Sequence, residues 1–386
     1  MLIPHLPHNI QTWTLTPTVE LRYRIERRND KDFYAPTNDN RTDSLARVRI
    51  GVAGKNEAGW KFLIQYQYGI DDYWVRDLRT TVRNSDMQFG YVQAPIKNGS
   101  VTLGRQGLVV GTGRLISSMS VWGNVGRTFD GVRVKTGPWD LWAMREGAYS
   151  YYNPRTRIVG ASRSTGRGLS SVFYKHDGRD SSAEDVWTGN QIWKQPLGKV
   201  NVLAELDGQM GRRLGQDVSA WAGTLNVSKN AKRFTPYAEL DVASGGTSGS
   251  TTHTFDPLYP NDPAIYGMRQ MQGFQNVVET KIGMTYAAGK ADCLTAYVSD
   301  LNLYSKTDAW YGAYGVNKGK VTFKDPTGDS GKHIGNMAQI DFQHTIGSHE
   351  LIWLGVGYFR PGSFIEHLNG QTNNQTWLSA SYCYKY

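Results

Sequence analysis

Apolar and charged residues alternate with a period of two along much of this chain. The stretch VELRYRIERR (19–28) shows the pattern, with apolar residues at odd positions and charged residues at even positions up to residue 26. A period of two is that of a β-strand, whose successive side chains point to opposite faces of the sheet. Each such strand therefore has one apolar face and one charged face.

The same alternation recurs in ARVRIGV (46–52), WKFLIQYQY (60–68), GVRVK (131–135) and YAELDV (237–242). A face of Arg, Lys and Glu cannot pack into a dry core, because burying an unpaired charge costs several kcal/mol. We therefore expect the charged face to contact water and the apolar face to contact lipid. No stretch approaches the roughly 18 apolar residues of a membrane helix, which excludes a helical membrane protein but not a barrel.

Turn sequences rich in Gly, Asn and Pro divide the chain into strands. Eight short turns alternate with longer connections. The short turns are GKNEAG (54–59), KNGS (97–100), TGPW (136–139), STGR (164–167), PLGK (196–199), KNAK (229–232), AAGK (287–290) and IGSH (346–349). Nine longer connections lie near 28–41, 72–85, 107–126, 151–154, 178–184, 212–216, 244–274, 304–334 and 360–375. Seventeen links join eighteen strands, or sixteen without the pair at 155–163 and 168–177.

Strict alternation of short and long links is typical of barrels in the bacterial outer membrane. We predict an all-β fold, a transmembrane antiparallel β-barrel of 18 strands with short periplasmic turns and longer extracellular loops. Residues 1–13 are expected to form an N-terminal extension, and residues 14–386 a single barrel domain. A propeller is the soluble alternative, but the blade-length repeat that it requires is not seen.

Motifs of enzymes and cofactor sites are not found. The two cysteines, Cys293 and Cys383, are far apart in the chain, so we expect neither a disulfide framework nor a metal site. The spacing of His333, Asp341 and His344 could suggest a catalytic or metal site. These residues fall on strands or turns, however, whereas the known motifs rely on a helix to bring residues i and i+4 together. We predict a protein that is not an enzyme, has no cofactor and does not bind nucleic acid.

Positive charge is concentrated in the first part of the chain, since residues 1–180 hold 26 Lys and Arg against 16 Asp and Glu. An eighteen-stranded barrel is too wide for side chains to fill, so an aqueous channel is expected. An Arg-rich wall favours anions. The predicted pore-lining residues are Arg22, Arg24, Arg47, Arg49, Arg105, Arg133, Lys135 and Arg145, with Glu239, Asp241 and Glu279 on the same inner face. Whether the acidic residues pair with arginines or contact the solute is left open.

Seven stretches carry a resemblance to a known family: LGRQ (103–106), RTFDGVRV (127–134), FDPLYP (255–260), Gln275-Asn276, TDAWY (307–311), GKHIGNMAQID (331–341) and GYFRPGSFI (357–365). The chain resembles the alginate-export family of outer-membrane barrels. The resemblance implies an electropositive lumen, narrowed by inward-folded loops, through which a polyuronate leaves the cell. It places Arg105, Arg127 and Asp130 near the constriction. It also implies loop contacts from Asp256 and Tyr259, and from Asp308, Trp310 and Tyr311.

Tryptophans near turns and strand ends predict interfacial anchors, namely Trp60, Trp122, Trp139, Trp187 and Trp310. Stacking on sugar rings is the alternative for Trp310, Tyr311 and Tyr314.

The function predicted from these observations is a passive, anion-selective outer-membrane channel for the export of an anionic polysaccharide. A ladder of arginines would offer successive weak carboxylate sites. The alternatives are a porin for small anions or nutrients, and a plugged structural or adhesive barrel. The expected partners are the anionic polysaccharide or small anions, outer-membrane lipid and lipopolysaccharide, and periplasmic export components. The barrel is expected to be a monomer.

Overall fold

Eighteen antiparallel strands form a closed barrel in the computed structural model. The structure describes residues 12–29, 33–36, 39–75, 78–118, 123–147, 156–178, 183–261, 267, 271–312 and 321–386. The strands are β1 (Trp13–Arg28), β2 (Arg41–Asn56), β3 (Lys61–Val75), β4 (Leu78–Ile96), β5 (Gly99–Gln106), β6 (Phe129–Thr136), β7 (Trp139–Glu146), β8 (Thr156–Thr165), β9 (Gly168–Asp177), β10 (Glu184–Leu197), β11 (Val200–Arg213), β12 (Gln216–Lys229), β13 (Phe234–Ala243), β14 (Val277–Ala287), β15 (Asp292–Leu303), β16 (His333–Ile346), β17 (Glu350–Pro361) and β18 (Gln375–Lys385).

Each strand pairs with its neighbour in the chain, and β18 closes the barrel against β1. The closing register runs from Glu20 opposite Lys385 to Arg28 opposite Trp377. Because the number of strands is even, the start of β1 and the end of β18 lie at the same end of the barrel as the short turns.

The predicted short turns connect the strand pairs from β2–β3 to β16–β17. Glycine provides the positive φ that tight turns need, as at Gly137 (φ 52°) and Gly198 (φ 64°). The strand pair expected near 155–177 is present as β8 and β9, so the count of eighteen is confirmed.

Two of the predicted longer connections are wrong. Only Leu214 and Gly215 separate β11 from β12, so 212–216 is a tight turn, and the other incorrect connection is 72–85. Most of it is strand, because β3 continues to Val75 and β4 begins at Leu78. Its polar sequence resembles a loop, but the polar residues pair across the hairpin: Arg79 donates to the Asp72 carboxylate at 3.0 and 2.8 Å.

The connection after β17 contains a short helix (Ser363–Asn369) that the sequence did not predict. Within the described residues, no helix is long and apolar enough to cross a bilayer.

The two faces of the wall are distributed as the alternation predicts. On β1 the apolar side chains of Leu21, Tyr23 and Ile25 are 43–52% exposed, whereas the intervening Arg22 and Arg24 are buried. A soluble protein would show the reverse. The charged face therefore lines the interior, and the apolar face is turned to lipid.

The hydrophobic core lies inside the barrel, towards the end that carries the long connections. Segments 107–118 and 244–261 fold into the lumen, and they are joined by the hydrogen bonds of Tyr259, whose N–H donates to the Leu115 carbonyl at 2.7 Å. Their apolar residues pack on inward-facing side chains of the wall, including Phe129, Trp142, Met144 and Ile158. The long connections therefore narrow the lumen.

Candidate functional site

A cavity of about 700 Å³ remains in the lumen beside β1 and β2. Among the lining residues that the structure describes, Glu20 is the one carboxylate. The basic lining residues are Arg22, Arg24, Arg47, Arg49, Arg133, Lys135 and Lys385. Six of these seven are in the predicted pore-lining set, and Lys385 was missed because it lies at the last position of the final strand.

Cross-strand pairing brings the arginines of β1 and β2 together, with Arg22 directly opposite Arg47 and Glu20 opposite Arg49. Arg47 forms an ion pair with Glu20, and Arg49 lies 3.5 Å from the same carboxylate. Glu20 is thus shared by two guanidinium groups and neutralises at most one of them. The four guanidinium groups that β1 and β2 contribute, those of Arg22, Arg24, Arg47 and Arg49, would repel one another. Each therefore needs a partner that holds it in position.

Segment 123–124 supplies such partners without adding negative charge. Arg22 donates to the Gly123 carbonyl at 2.8 Å and to the Asn124 side chain at 3.1 Å. Arg47 donates to the carbonyls of the same two residues at 3.2 and 3.1 Å. Neutral acceptors satisfy the N–H donors and orient the guanidinium groups. The cavity therefore keeps a net positive charge.

Two of the lining arginines have carboxylates of their own. Arg24 forms an ion pair with Glu26 at 2.7 Å, with both side chains 4% exposed. Arg133 holds Asp140 through two hydrogen bonds of 2.8 and 2.5 Å. These two residues line the cavity, but their charges are compensated locally.

Arg105, Asp130 and Arg145 do not line the lumen, so the sequence prediction is corrected for these three residues. They are cross-strand neighbours on β5, β6 and β7. They share the face of Leu103 and Leu141, which are 57% and 38% exposed on the outside. The alternation already contained this information, because Asp130 has the same parity as the outward-facing Val132 and Val134.

The predicted acidic residues of β13 and β14 lie on the inner wall, but they are covered by an inward-folded segment. Arg114 of segment 107–118 lies 3.0 Å from Glu239 and 3.2 Å from Asp241. Lys281 lies 3.2 Å from Glu239 and 3.6 Å from Glu279. This arrangement anchors segment 107–118 to the wall. Arg114 was missed by the sequence analysis, because nothing in a loop sequence shows which wall the loop reaches.

The FDPLYP segment is anchored on the same side of the lumen. Asp256 accepts a hydrogen bond from Lys175 at 2.9 Å and lies 3.9 Å from Arg213. Burial alone would raise the pKa of Asp256, but the Lys175 and Arg213 cations outweigh it and hold the pKa well below its ordinary value. Asp256 is therefore an anchor for the loop, and it is buried rather than presented to a solute.

Tyr259 and Arg127 lie in the contact between segments. The Tyr259 ring packs edge-on against Phe129 with centroids 5.3 Å apart, and Arg127 lies over its other side at 5.2 Å. Arg127 is also 3.5 Å from Glu146 of the wall. Both residues are buried, so Arg127 packs between the inward-folded segments and the wall and is not presented to a solute.

The TDAWY segment forms a second anchor. Asp308 accepts hydrogen bonds from Gly246 N–H, from the Thr254 hydroxyl and from the Tyr311 hydroxyl, at 2.6–2.8 Å. Burial raises the pKa of Tyr311 far above its usual range, and the Asp308 carboxylate raises it further. Tyr311 thus remains a protonated donor. Asp308 joins segments 244–261 and 304–312 through Gly246 and Thr254, and Tyr311 holds the Asp308 carboxylate from within its own segment.

Trp310 is neither an interfacial anchor nor an exposed platform for sugars. It is 1% exposed and stacks on Phe323 and Phe359, with ring centroids 6.0 Å away in each case. Its indole N–H donates to Gln272 at 2.7 Å. Trp60, Trp139 and Trp187 are 42–52% exposed, as expected of anchors. Trp122 and Tyr314 lie outside the described residues.

Comparisons with known proteins agree with this architecture. A model of the family described as alginate export matches residues 14–379. The crystal structure of the outer membrane protein OprD from Pseudomonas aeruginosa is similar with a TM-score of 0.63 at 11% identity, covering 96% of this chain and 93% of that chain. For Pseudomonas aeruginosa OpdQ the TM-score is 0.63 at 11% identity, and the coverage is 96% and 98%.

Another similar structure is Pseudomonas aeruginosa OccK2 (OpdF) in complex with glucuronate, with a TM-score of 0.60, 12% identity and coverage of 96% and 98%. No curated protein matches the chain. The solved structures share the barrel fold, and the family match extends over almost the whole chain. Together they make this barrel a passive channel. The chain belongs to the alginate-export family of bacterial outer-membrane β-barrel proteins.

Proposed function

We propose that this protein is a non-catalytic, anion-selective channel and that its solute is an acidic polysaccharide of the polyuronate type. The observation that carries the proposal is the cavity beside β1 and β2, where the described lining residues include seven basic side chains and one carboxylate. Two of the seven, Arg24 and Arg133, are compensated by Glu26 and Asp140 outside the lining. The family match supports a polyuronate as the solute. A passive channel sets no direction of its own, so export depends on where the polymer is made.

The mechanism follows from the way the arginines are held. Guanidinium groups pair with carboxylates through two parallel hydrogen bonds, and such pairs are stronger than neutral hydrogen bonds. In water-filled surroundings two unit charges at 4 Å attract by about 1–4 kcal/mol. A polyuronate carries a carboxylate on every sugar, so it can exchange one arginine for the next. Several sites of similar strength allow the polymer to move without becoming trapped.

Arg22, Arg47 and Arg49 are the central residues of this path. Carbonyl acceptors fix Arg22 and Arg47, and Gln67 accepts a hydrogen bond from Arg49 at 2.7 Å. A positioned guanidinium loses less side-chain freedom when a solute binds. The wall thus offers carboxylate sites that are oriented before the solute arrives.

Uptake of small carboxylates is the second candidate function. It is favoured by the inward-folded segments, which leave a cavity of about 700 Å³, and by the glucuronate in the structure of OccK2 (OpdF). Both candidates use the same arginines. They differ in whether a polymer can thread through the barrel.

Current recording in a planar bilayer tests the proposal. Under a salt gradient we expect a reversal potential that reports anion selectivity, and added polyuronate should block the current in discrete events. Glucuronate at equal carboxylate concentration is the control: briefer, weaker block would favour the polymer, and equal block would favour small carboxylates. Cation selectivity, or current indifferent to both solutes, would refute the proposal.

A charge-neutralising variant links the current to the cavity. Arg49→Gln combined with Lys385→Gln removes two lumen charges and should weaken anion selectivity and shorten the blocked events. The matched control is Arg145→Gln with Arg157→Gln, which removes two charges from outward-facing positions of β7 and β8. Equal effects of the two double variants would mean that the overall charge of the barrel, rather than this cavity, sets the selectivity.

A further inference from the structure

A row of polar side chains runs along the outer rim of the wall from β5 to β12. On each of these strands an outward-facing charged residue or histidine is the second residue from the end that lies on the side of the long connections: Arg105, Asp130, Arg145, Arg157, His176, Asp185, Arg212 and Asp217. Each of them lies directly opposite the next in the strand pairing. The row therefore follows the upper edge of the wall.

Apolar side chains begin immediately below this row. Two positions closer to the short turns, the outward residues of β5, β8, β10 and β11 are apolar and 49–68% exposed: Leu103, Val159, Trp187 and Met210. The Trp187 ring also packs against Tyr174 of β9, with centroids 5.0 Å apart. Aromatic residues of this kind are typical of the level where lipid chains meet head groups. The row therefore lies at the boundary between the chains and the head groups of the outer leaflet.

Six of the eight residues are paired inside the row. The pairs, at 2.7, 2.8 and 3.6 Å, are Arg105 with Asp130, His176 with Asp185, and Arg212 with Asp217. Arg105 reaches Asp130 through two hydrogen bonds and also donates to Asp86 of β4 at 3.0 Å. These side chains provide partners for one another at the edge of the lipid.

The other two residues, Arg145 and Arg157, are exposed neighbours across β7 and β8. Arg145 lies 3.9 Å from Asp130, whose two carboxylate oxygens already accept hydrogen bonds from Arg105. Within the described part of the chain, Arg157 has no carboxylate partner and neither guanidinium group donates a hydrogen bond. Like charges directly opposite each other destabilise a sheet, and N–H donors without acceptors are unfavourable beside lipid chains. An anion that accepts from both groups would remove both costs.

We propose that Arg145 and Arg157 bind a phosphate group of lipopolysaccharide, the lipid of the outer leaflet. A phosphate offers oxygens to two guanidinium groups at once, and arginine pairs with it through two parallel hydrogen bonds. Ala143 and Val159 lie opposite each other directly below the arginines, and they provide apolar surface for the acyl chains of the same molecule. The site is on the outside of the wall, so it is separate from the arginines of the cavity and independent of the solute that the channel carries.

Lipid binding by the folded barrel in detergent, measured by native mass spectrometry, tests the site. The probe is lipid A, the phosphorylated anchor of lipopolysaccharide, and the unmodified protein should bind it at least five times more than lipid A from which the phosphates have been removed. Arg145→Gln combined with Arg157→Gln should lower binding of the phosphorylated lipid by a similar factor. The matched control is Arg163→Gln with Arg167→Gln, which removes two exposed arginines at the short-turn end of β8 and β9. It should stay within a factor of two of the unmodified protein.

Two further measurements make the test specific. Arg145→Lys with Arg157→Lys should bind lipid A at an intermediate level, because an ammonium group keeps the charge but cannot form two parallel hydrogen bonds. Phosphatidylglycerol at equal concentration should displace only a minor part of the bound lipid A. Equal binding of the two forms of lipid A, equal losses in the two glutamine variants, or full displacement by phosphatidylglycerol would overturn the proposal. The comparison of the two lipids uses the unmodified protein, so it decides the question even if a variant fails to fold.

Discussion

Lys175 on the inner wall of β9 lies 2.9 Å from Asp256 in the inward-folded FDPLYP segment, and their side chains are 5% and 2% exposed. Lys175 also lies 2.8 Å from Glu184 on the neighbouring strand. A cation fixed by the wall therefore holds a carboxylate of the loop. This pair sets the position of the segment that narrows the lumen.

Breaking the anchor should widen the channel. In Lys175→Met, Asp256 and Glu184 lose the nearer of the two cations that they share, and Arg213 remains 3.9 and 3.3 Å from them. Removing one partner of a buried ion pair typically costs about 3–5 kcal/mol, and Arg213 offsets part of this cost. We expect segment 244–261 to detach part of the time, giving larger and noisier single-channel currents. Limited proteolysis should cut this segment faster. The control is Lys194→Met on the exposed part of β10; unchanged currents in Lys175→Met would show that the anchor does not hold the segment.

The same anchor predicts how the channel responds to pH. The pKa of Asp256 is depressed in the folded protein, so its contribution to stability is present above the unfolded pKa of about 3.9 and is lost as pH falls towards the folded pKa. Currents should therefore keep the same amplitude and noise from pH 8 to about pH 4, and become noisier below that. Asp256→Asn should already be noisy at pH 7. A transition near pH 6 in the unmodified protein would assign gating to another group.

A native thiol can report the potential of the basic cavity. Cys383 lines the cavity with Arg22, Arg47 and Arg49. A negatively charged methanethiosulfonate should modify it about tenfold or more faster than a positively charged one, because a basic cleft concentrates anions. Modification should also lower the current. Cys383→Ser provides the control, with Cys293 still present; equal rates for the two reagents would mean that the cavity potential is not positive.

Replacing Trp310 should change stability and leave solute binding intact. Trp310→Ala would open a cavity between Phe33, Phe323 and Phe359 and should cost about 3–5 kcal/mol. Thermal unfolding followed by circular dichroism measures this loss, with the exposed Trp187→Ala as the control. Because Trp310 is buried, Trp310→Phe should leave the polyuronate-blocked events unchanged. Shorter blocked events in Trp310→Phe would restore a role in stacking on sugars.

Much of the barrel could be predicted because the deciding interactions are local. The turn residues and the period-two pattern of stretches such as 19–28 and 237–242 depend on neighbours a few positions away, and both predict strands and their lipid-facing sides. Asp130 in β6 also follows this pattern, because it shares the outward parity of Val132, whereas the family resemblance implied a place near the constriction. The polar hairpin around Asp72 and Arg79 cannot be recognised from the pattern, because a strand that extends into water has no apolar face.

The sequence by itself determined the strand number, the closed topology with both ends at the short turns, and the excess of arginine on the inner face of β1 and β2. The tertiary structure decided which of those charges are compensated by carboxylates and which give the cavity its positive charge. Arg114 reaches Glu239 across the lumen, and Gly123 and Asn124 provide carbonyls for Arg47. Such contacts join residues more than seventy positions apart, and alternation along one strand carries no information about where a distant loop folds.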